Sequence, residues 1–499
     1  MSEVTDQSTP LTTPSSPKKR ASLAGDVSSQ LAVQLLMRLV TGVTAIFFYR
    51  HISPADLGLL STALAFAGFA NYFTDMGFNP VLVREAAAAD FERRRKLVWT
   101  SIRSRLVLTA LVTSIAFVAV GLISRDPQLV FLVRVLLILT ALSAMVINWV
   151  EGAMQGTEHV ALAGYLRLTH ASAQSLATLA VVVVGGGLTQ YVIFQGVANW
   201  AIVLVSLVWI LRQFPYTSHG DRSVLNGIGA FSAAGVYITF AGQLLPYGVI
   251  EQLNLLSKTL VGEYRAGATL PIMLYAIPGG IAAGMYTRMC RAWQEDHLEH
   301  TRLVLRAQQL GGVLAGLAAV GFSVGAPSVI GILFGGKYGE TTIFTLSVMA
   351  LVPLVQALSL PLGDAMGSSS QFGTRTWLLL VYVLFGIALC AVLPRFWGVH
   401  GTALCSIGIE TILLGLYFAF TRADLRVQAA RTIGVQLALA LSSIVVGMIV
   451  RAPLETAVGV IPGGLIAAVV AALVYSASII AVNQEVRDLA RGLVRKVAR

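Results

Sequence analysis

Three arginines, Arg38, Arg134 and Arg167, stand inside stretches of sequence that are otherwise almost wholly apolar. An ionised side chain near the middle of a bilayer costs about 2.5–3.5 kcal/mol even on the lenient insertion scale, so such groups are expected to face a cavity or a partner rather than lipid. Guanidinium groups make planar, charge-assisted hydrogen bonds to phosphate oxygens, and a cationic first half of the chain suits a pyrophosphate. The second half presents acids instead, Glu410 in mid-stretch and Asp364 near the end of its stretch. A carboxyl in an apolar helix is costly when ionised and cheaper when protonated, which fits Glu410 for a protonatable switch. His170, one turn from Arg167, together with Asp75 and Glu251 completes the candidate ion-coupling set. Each position also has a plainer reading. Arg38 could pair structurally with Asp75, Arg134 and Arg167 could snorkel to the two interfaces, and His170 could be a satisfied polar group between helices.

The elements that must position these groups are long apolar segments. Stretches of about 20 residues recur from near residue 28 to near residue 482, the length a helix needs to cross the hydrocarbon core. The hydropathy predicts spans near 28–49, 57–79, 103–124, 129–150, 161–184, 189–211, 227–250, 267–288, 307–334, 342–364, 376–394, 399–420, 431–450 and 457–481. The expected fold is therefore all-α, a polytopic membrane protein of about 14 transmembrane helices. Composition agrees, with 56% hydrophobic and 12% charged residues, far from the soluble norm. Residues 1–25, rich in Ser, Thr and Pro, read as a disordered cytoplasmic tail without the apolar core of a cleaved signal peptide, and 483–499 as a basic cytoplasmic tail.

Most of the 35 basic residues fall on the side of the N-terminus in this scheme, so both termini are expected inside. The net charge of +11 is thereby assigned to orientation, and nucleic acid is not an expected partner. The two largest basic clusters, around Arg84–Arg105 and around Arg288–Arg306, lie six helices apart. Six is even, so both copies enter the membrane the same way. Two six-helix lobes related by an axis along the membrane normal are expected, 26–212 and 213–420, with substrate at their interface and helices 13–14 (421–482) as an addition.

Other patterns carry no chemistry. Cys290, Cys390 and Cys405 are too few and too apolar in setting for a disulfide framework or a metal site. Gly331–Lys337 fits the first seven positions of a phosphate-binding loop, but Tyr338 replaces the Ser or Thr it requires and the segment ends a membrane helix. Gly185–Gly187 reads as a flexible outer turn. His297 and His300 among Glu295, Asp296 and Glu299 read as a solvated loop helix rather than a metal site. The inner stretch Asp90–Arg105 reads as the start of the third span with its orientation signal in preference to a helix lying on anionic lipid. No nucleophile–base set and no cofactor fingerprint is present, so an enzyme is not expected and no cofactor is implied.

Several motifs carry a resemblance. Arg50-His-Ile-Ser-Pro54-Ala-Asp56-Leu-Gly58, Asp75-Met-Gly77 and Val83-Arg84-Glu85 are followed by Gln155-Gly156-Thr-Glu158, Gly262-Glu-Tyr264, Leu333-Phe334-Gly335-Gly-Lys-Tyr338, Gly367 and Gly398-Val-His-Gly401-Thr-Ala403. In order and spacing over about residues 28–420 the chain resembles polysaccharide exporters of the O-antigen flippase (Wzx) type, within the multidrug/oligosaccharidyl-lipid/polysaccharide (MOP) superfamily. The resemblance implies a V-shaped pair of helical bundles in the bacterial inner membrane. These open alternately inward and outward and move a polyprenyl-pyrophosphate-linked oligosaccharide for polysaccharide biosynthesis. It implies no covalent chemistry. The expected partners are the lipid-linked glycan, membrane lipids, a coupling proton or sodium ion, and a polysaccharide polymerase. Many relatives carry an aspartate near the end of the seventh helix, where this chain has Glu251-Gln252-Leu-Asn254. The alternatives are a flippase for a lipid-linked peptidoglycan precursor and, further off, a cation-coupled multidrug exporter, for which an acidic cavity is expected. A membrane glycosyltransferase or ligase would need a long outer loop carrying catalytic residues.

Overall fold

The computed structural model describes residues 23–75, 78, 82, 85–86, 89–157, 159–221 and 257–482; the side chains of residues 23–35 and of several others inside these helices, Asp75 among them, lie outside the described set. The expected span 227–250 and Glu251 fall outside it as well. The described residues are helical almost throughout, and eight helices are long and apolar enough to cross a membrane.

The first set of helices is α1 (Leu23–His51), α2 (Pro54–Asp75), α3 (Phe91–Ile123), α4 (Pro127–Leu136), α5 (Leu142–Gly156), α6 (Val160–Val184) and α7 (Leu188–Gln213). A five-residue π-helical turn, Leu137–Ala141, joins α4 to α5, so these form one span with a local widening. Helix α3 starts at Phe91, its first turn capped by Asp90 accepting from the Arg93 amide, so Arg93–Arg105 continue the third span. Only 11% of its most apolar window is buried; the rest is the surface that lipid covers.

The second set is α8 (Lys258–Leu274), α9 (Ala276–Glu295), α10 (His297–Phe334), α11 (Glu340–Met349), α12 (Val352–Gly367), α13 (Phe372–Phe420), α14 (Ala423–Val458) and α15 (Val460–Val482). Helix α8 breaks into α9 at Tyr275, one turn beyond Pro271, whose ring removes a helical hydrogen bond. Helix α13 reverses at Gly398 (φ 55°, ψ −133°), a conformation that costs glycine little. Its two limbs run antiparallel, as the Tyr382–Glu410 contact across them requires. Helices α14 and α15 pack on α10. There the Tyr475 hydroxyl donates to the Gln436 side chain at 2.7 Å, with Gly312 and Gly316 of α10 beside it. The last two helices are thus anchored on α10.

Loops 52–53, 185–187 and 335–339 share the end that the basic residues assign to the outside, termed the outer end. Here one apolar core runs through both sets, joining Phe48, Leu57 and Val181 to Ile330, Phe334 and Tyr338. At the inner end the cores are separate, one around Leu97, Val150 and Ile210 and one around Leu358, Met366 and Tyr417. The described residues therefore form two bundles joined at the outer end.

Candidate functional site: a cavity below the closed outer end

Closure rests on helix ends meeting cations. Arg50, in the last turn of α1, donates to the carbonyls of Ile332 and Leu333 at the end of α10. Lys337, just beyond α10, donates to the carbonyls of Arg50 and Ile52 at the end of α1. Each cation thus meets the negative end of the other bundle's helix. Gly335 and Gly336, both at positive φ (62° and 76°), turn the chain so that Lys337 can reach back. The segment that mimics a phosphate loop is a helix C-terminus, the wrong pole for an anion. The Tyr338 hydroxyl donates to the Tyr49 carbonyl at 3.0 Å, and Asp126 pairs with Lys258 across the bundles. Hydrogen bonding to Lys258 holds the Asp126 carboxyl below its usual range, while burial lowers the Lys337 ammonium.

The tightest approach is between α2 and α8. A methyl group at Gly58 would fall inside the Lys258 carbonyl, and one at Gly262 inside the Pro54 carbonyl. Neither glycine has a left-handed backbone, so the requirement is for close approach alone.

Beneath this seal lies a cavity of about 350 Å³ between α1, α2, α6 and α7, with α8 reaching in. Threonines 41 and 44 face it from α1, Ser61 from α2, Gln174 and Thr178 from α6, and Gln195 from α7. Its lining contains no carboxylate, and its one charged residue is Arg265 of α8. Arg38 lies one turn inward of Thr41 on the same face of α1, and it is exposed.

A polar ladder leads from the inner side along α6 and α7. Arg167 pairs with Glu151 of α5, which also accepts from Gln155 at 2.7 Å. A turn further on, His170 contacts the side-chain oxygen of the fully buried Asn199 at 3.0 Å, and Gln174 donates to the same oxygen at 3.3 Å. Gln195 then donates to Thr178 at 2.7 Å. Arg134 stands apart, between α3 and α4, with its guanidinium 4.6 Å from the centre of the Phe117 ring and its Nε donating to the Phe117 carbonyl at 3.3 Å.

The acids of the second bundle lie in two places. Glu410, buried, accepts from Gln356 at 2.9 Å and from the Tyr382 hydroxyl at 3.3 Å. Asp364, nearer the inner end, pairs with Arg375 at 3.4 Å. His300 is buried rather than solvated, meeting the Ser368 hydroxyl at 3.0 Å and the edge of Trp293, and no metal-holding group occurs among the described residues.

The structure thus joins Arg167 and His170 to one ladder and sets Arg38 at the cavity's inner side. Arg134, Glu410 and Asp364 lie elsewhere. Sequence reasoning missed Arg265, Glu151 and Arg375. Arg265 stands just outside the expected eighth span, where a charge attracts no notice, and Glu151 and Arg375 likewise abut span boundaries.

The family described as "Polysaccharide biosynthesis protein" matches residues 48–343, more than half of the chain. The chain belongs to this family. Its fold is similar to those of solved membrane transporters. A lipid II flippase, MurJ, in an inward closed conformation aligns with TM-score 0.73 over 93% of this chain and 100% of its own, at 13% identity. An inward-facing MATE-family multidrug resistance transporter aligns with TM-score 0.63 over 83% and 99%, also at 13% identity. A MOP superfamily transporter from Pyrococcus furiosus aligns with TM-score 0.53 over 83% and 95%, at 15% identity. No curated protein matches by sequence. The motifs singled out in the sequence now have physical roles: Arg50, Gly335 and Lys337 build the clasp, Gly58 and Gly262 the contact between α2 and α8, and Tyr264 anchors α8 through Ser406 at 2.9 Å.

Proposed function

We propose that this family member is an inner-membrane flippase that moves a polyprenyl-pyrophosphate-linked oligosaccharide outward by alternating access of its two bundles, 26–212 and 213–420, carrying out transport and no covalent chemistry. The observation that carries this reading is the cavity, rich in hydroxyl and amide groups, bearing an arginine and no carboxylate, with Arg38 exposed one turn below it. Such a lining suits sugar hydroxyls and anionic oxygens and opposes the cations a multidrug exporter carries. The family match favours a polysaccharide intermediate over a peptidoglycan precursor. The described outer connections 52–53, 124–126, 185–187 and 335–339 are short turns, which offers a ligase no catalytic loop there. Arg38 and Arg167 line the pyrophosphate's route and Arg134 supports it from the flank. Glu410 carries proton coupling, with Asp364, Asp75, Glu251 and His170 as secondary candidates and sodium as the other ion. The termini lie in the cytoplasm, and a polymerase receives the product.

Arg38→Ala is expected to lower export of surface polysaccharide about tenfold or more at unchanged protein level, the cost of losing a charge-assisted contact. Arg38→Lys should retain part of the activity, because charge survives without the planar fork. Normal export by a stably expressed Arg38→Ala protein would remove Arg38 from the route.

For orientation, single cysteines at positions 20 and 94 and at the C-terminus are expected to react only from the cytoplasm, and one at position 337 only from outside. Labelling of position 337 from the cytoplasm would invert the reading of the clasp as the outer seal.

A further inference from the structure

The geometry points to the cavity as a sugar subsite that takes a single ring bearing a carboxylate, the carboxylate meeting Arg265. This rests on the flippase reading and specifies which part of the substrate enters which part of the site. The cavity, about 350 Å³, is at the lower end of ligand pockets, which run from about 300 to 1,000 Å³. It admits one ring at a time and not a folded oligosaccharide.

Its walls have two characters. Phe48 and Leu60 supply apolar surface, and Gln174, Thr178 and Gln195 supply amides and a hydroxyl on α6 and α7. A pyranose has the same division, with C–H groups over its faces and hydroxyls around its edge.

The charge count separates sugar from pyrophosphate. A pyrophosphate carries more than one negative charge and calls for several cations, whereas the cavity offers one guanidinium. One guanidinium matches one carboxylate through two parallel hydrogen bonds. The pyrophosphate then lies further in, along the route that Arg38 and Arg167 line together. Because Arg265 belongs to α8, the subsite is complete only while α8 is seated on α2, so the ring is held while the outer end is closed and released when it opens.

The test uses purified full-length protein in detergent and follows its thermal stability against D-glucuronate, D-glucose and inorganic pyrophosphate. Wild type is expected to bind glucuronate at least about tenfold more tightly than glucose. Arg265→Gln should bring glucuronate to parity with glucose and leave pyrophosphate binding intact, which also demonstrates that the variant is folded. Arg265→Lys should keep part of the preference, and Arg38→Ala should lose pyrophosphate but not glucuronate. Equal binding of the two sugars by wild type would overturn the acidic-sugar assignment. So would a preference that survives Arg265→Gln. Loss of pyrophosphate binding in Arg265→Gln with glucuronate binding retained would move the pyrophosphate into the cavity and overturn the subsite. Binding of pyrophosphate without either sugar would overturn the subsite alone, and binding of none of the three would overturn the flippase reading with it.

Discussion

Gly262→Val is expected to reduce polysaccharide export to background. At this position a methyl group alone would already collide with the Pro54 carbonyl, and one at Gly58 with the Lys258 carbonyl. The obstacles are backbone atoms of two helix ends, which cannot swing aside as a flexible side chain can. The branched side chain must therefore push α8 off α2, and that displacement reaches the Arg50 and Lys337 clasp and carries Arg265 out of the cavity. The expected state is one in which the outer end cannot close, so substrate cannot be loaded from inside against a seal. Cysteines introduced at Ile52 and Gly339, where an added side chain meets nothing within 4 Å, leave Arg50 and Lys337 in place and report the seal directly in a cysteine-free background. A bifunctional thiol reagent should join them in the parent and fail to do so in Gly262→Val. Export at the parental level together with intact cross-linking would show that the contact is dispensable. Gly58→Val should behave alike, and because both changes act on one contact, the double variant should be no worse than either.

Glu410→Gln is expected to abolish the response of flipping to an imposed pH gradient in reconstituted vesicles while leaving substrate binding unchanged. Glu410 is enclosed in the second bundle, with the Gln356 amide and the Tyr382 hydroxyl both donating to one carboxylate oxygen. Tyr382 and Glu410 lie on opposite limbs of α13, and Gln356 lies on α12. Proton binding therefore changes the charge at a point where three helical segments meet, and can bias how they pack. Glutamine keeps the shape and removes the titration. Glu410→Ala should instead cost stability of about 1–3 kcal/mol by stranding its two donors. Asp364→Asn has a different expected consequence, because it leaves Arg375 without its carboxylate. It should weaken the inner end of the second bundle and leave the pH response in place. A Glu410→Gln protein that still follows the gradient as the wild type does would pass the coupling role to Asp75, Glu251 or a sodium ion.

Much of this molecule is written into local sequence, for a physical reason. A helix crossing lipid must satisfy its own backbone hydrogen bonds and present apolar side chains over some 20 residues, so class, order of helices and broad architecture follow from hydropathy. Arg38 was legible for the same reason, since a charge within an apolar run stands out wherever the chain folds. Proximity between distant segments was not legible. Arg265 lies at the edge of its span, and only the packing of α8 on α2 brings it over a cavity built by four helices of the other bundle. Arg134 looks equivalent to Arg167 in sequence, yet the turn of its helix directs it to Phe117 while Arg167 meets Glu151. Gly58 and Gly262, 204 positions apart in the chain, read as two loose motifs, and the contact between them shows why neither tolerates a side chain. The sequence by itself determined which segments enter the membrane and which charges are too costly to leave there alone. The tertiary structure decided which of those charges share a cavity and which end of the molecule is sealed, because both depend on contacts between helices that no local periodicity encodes.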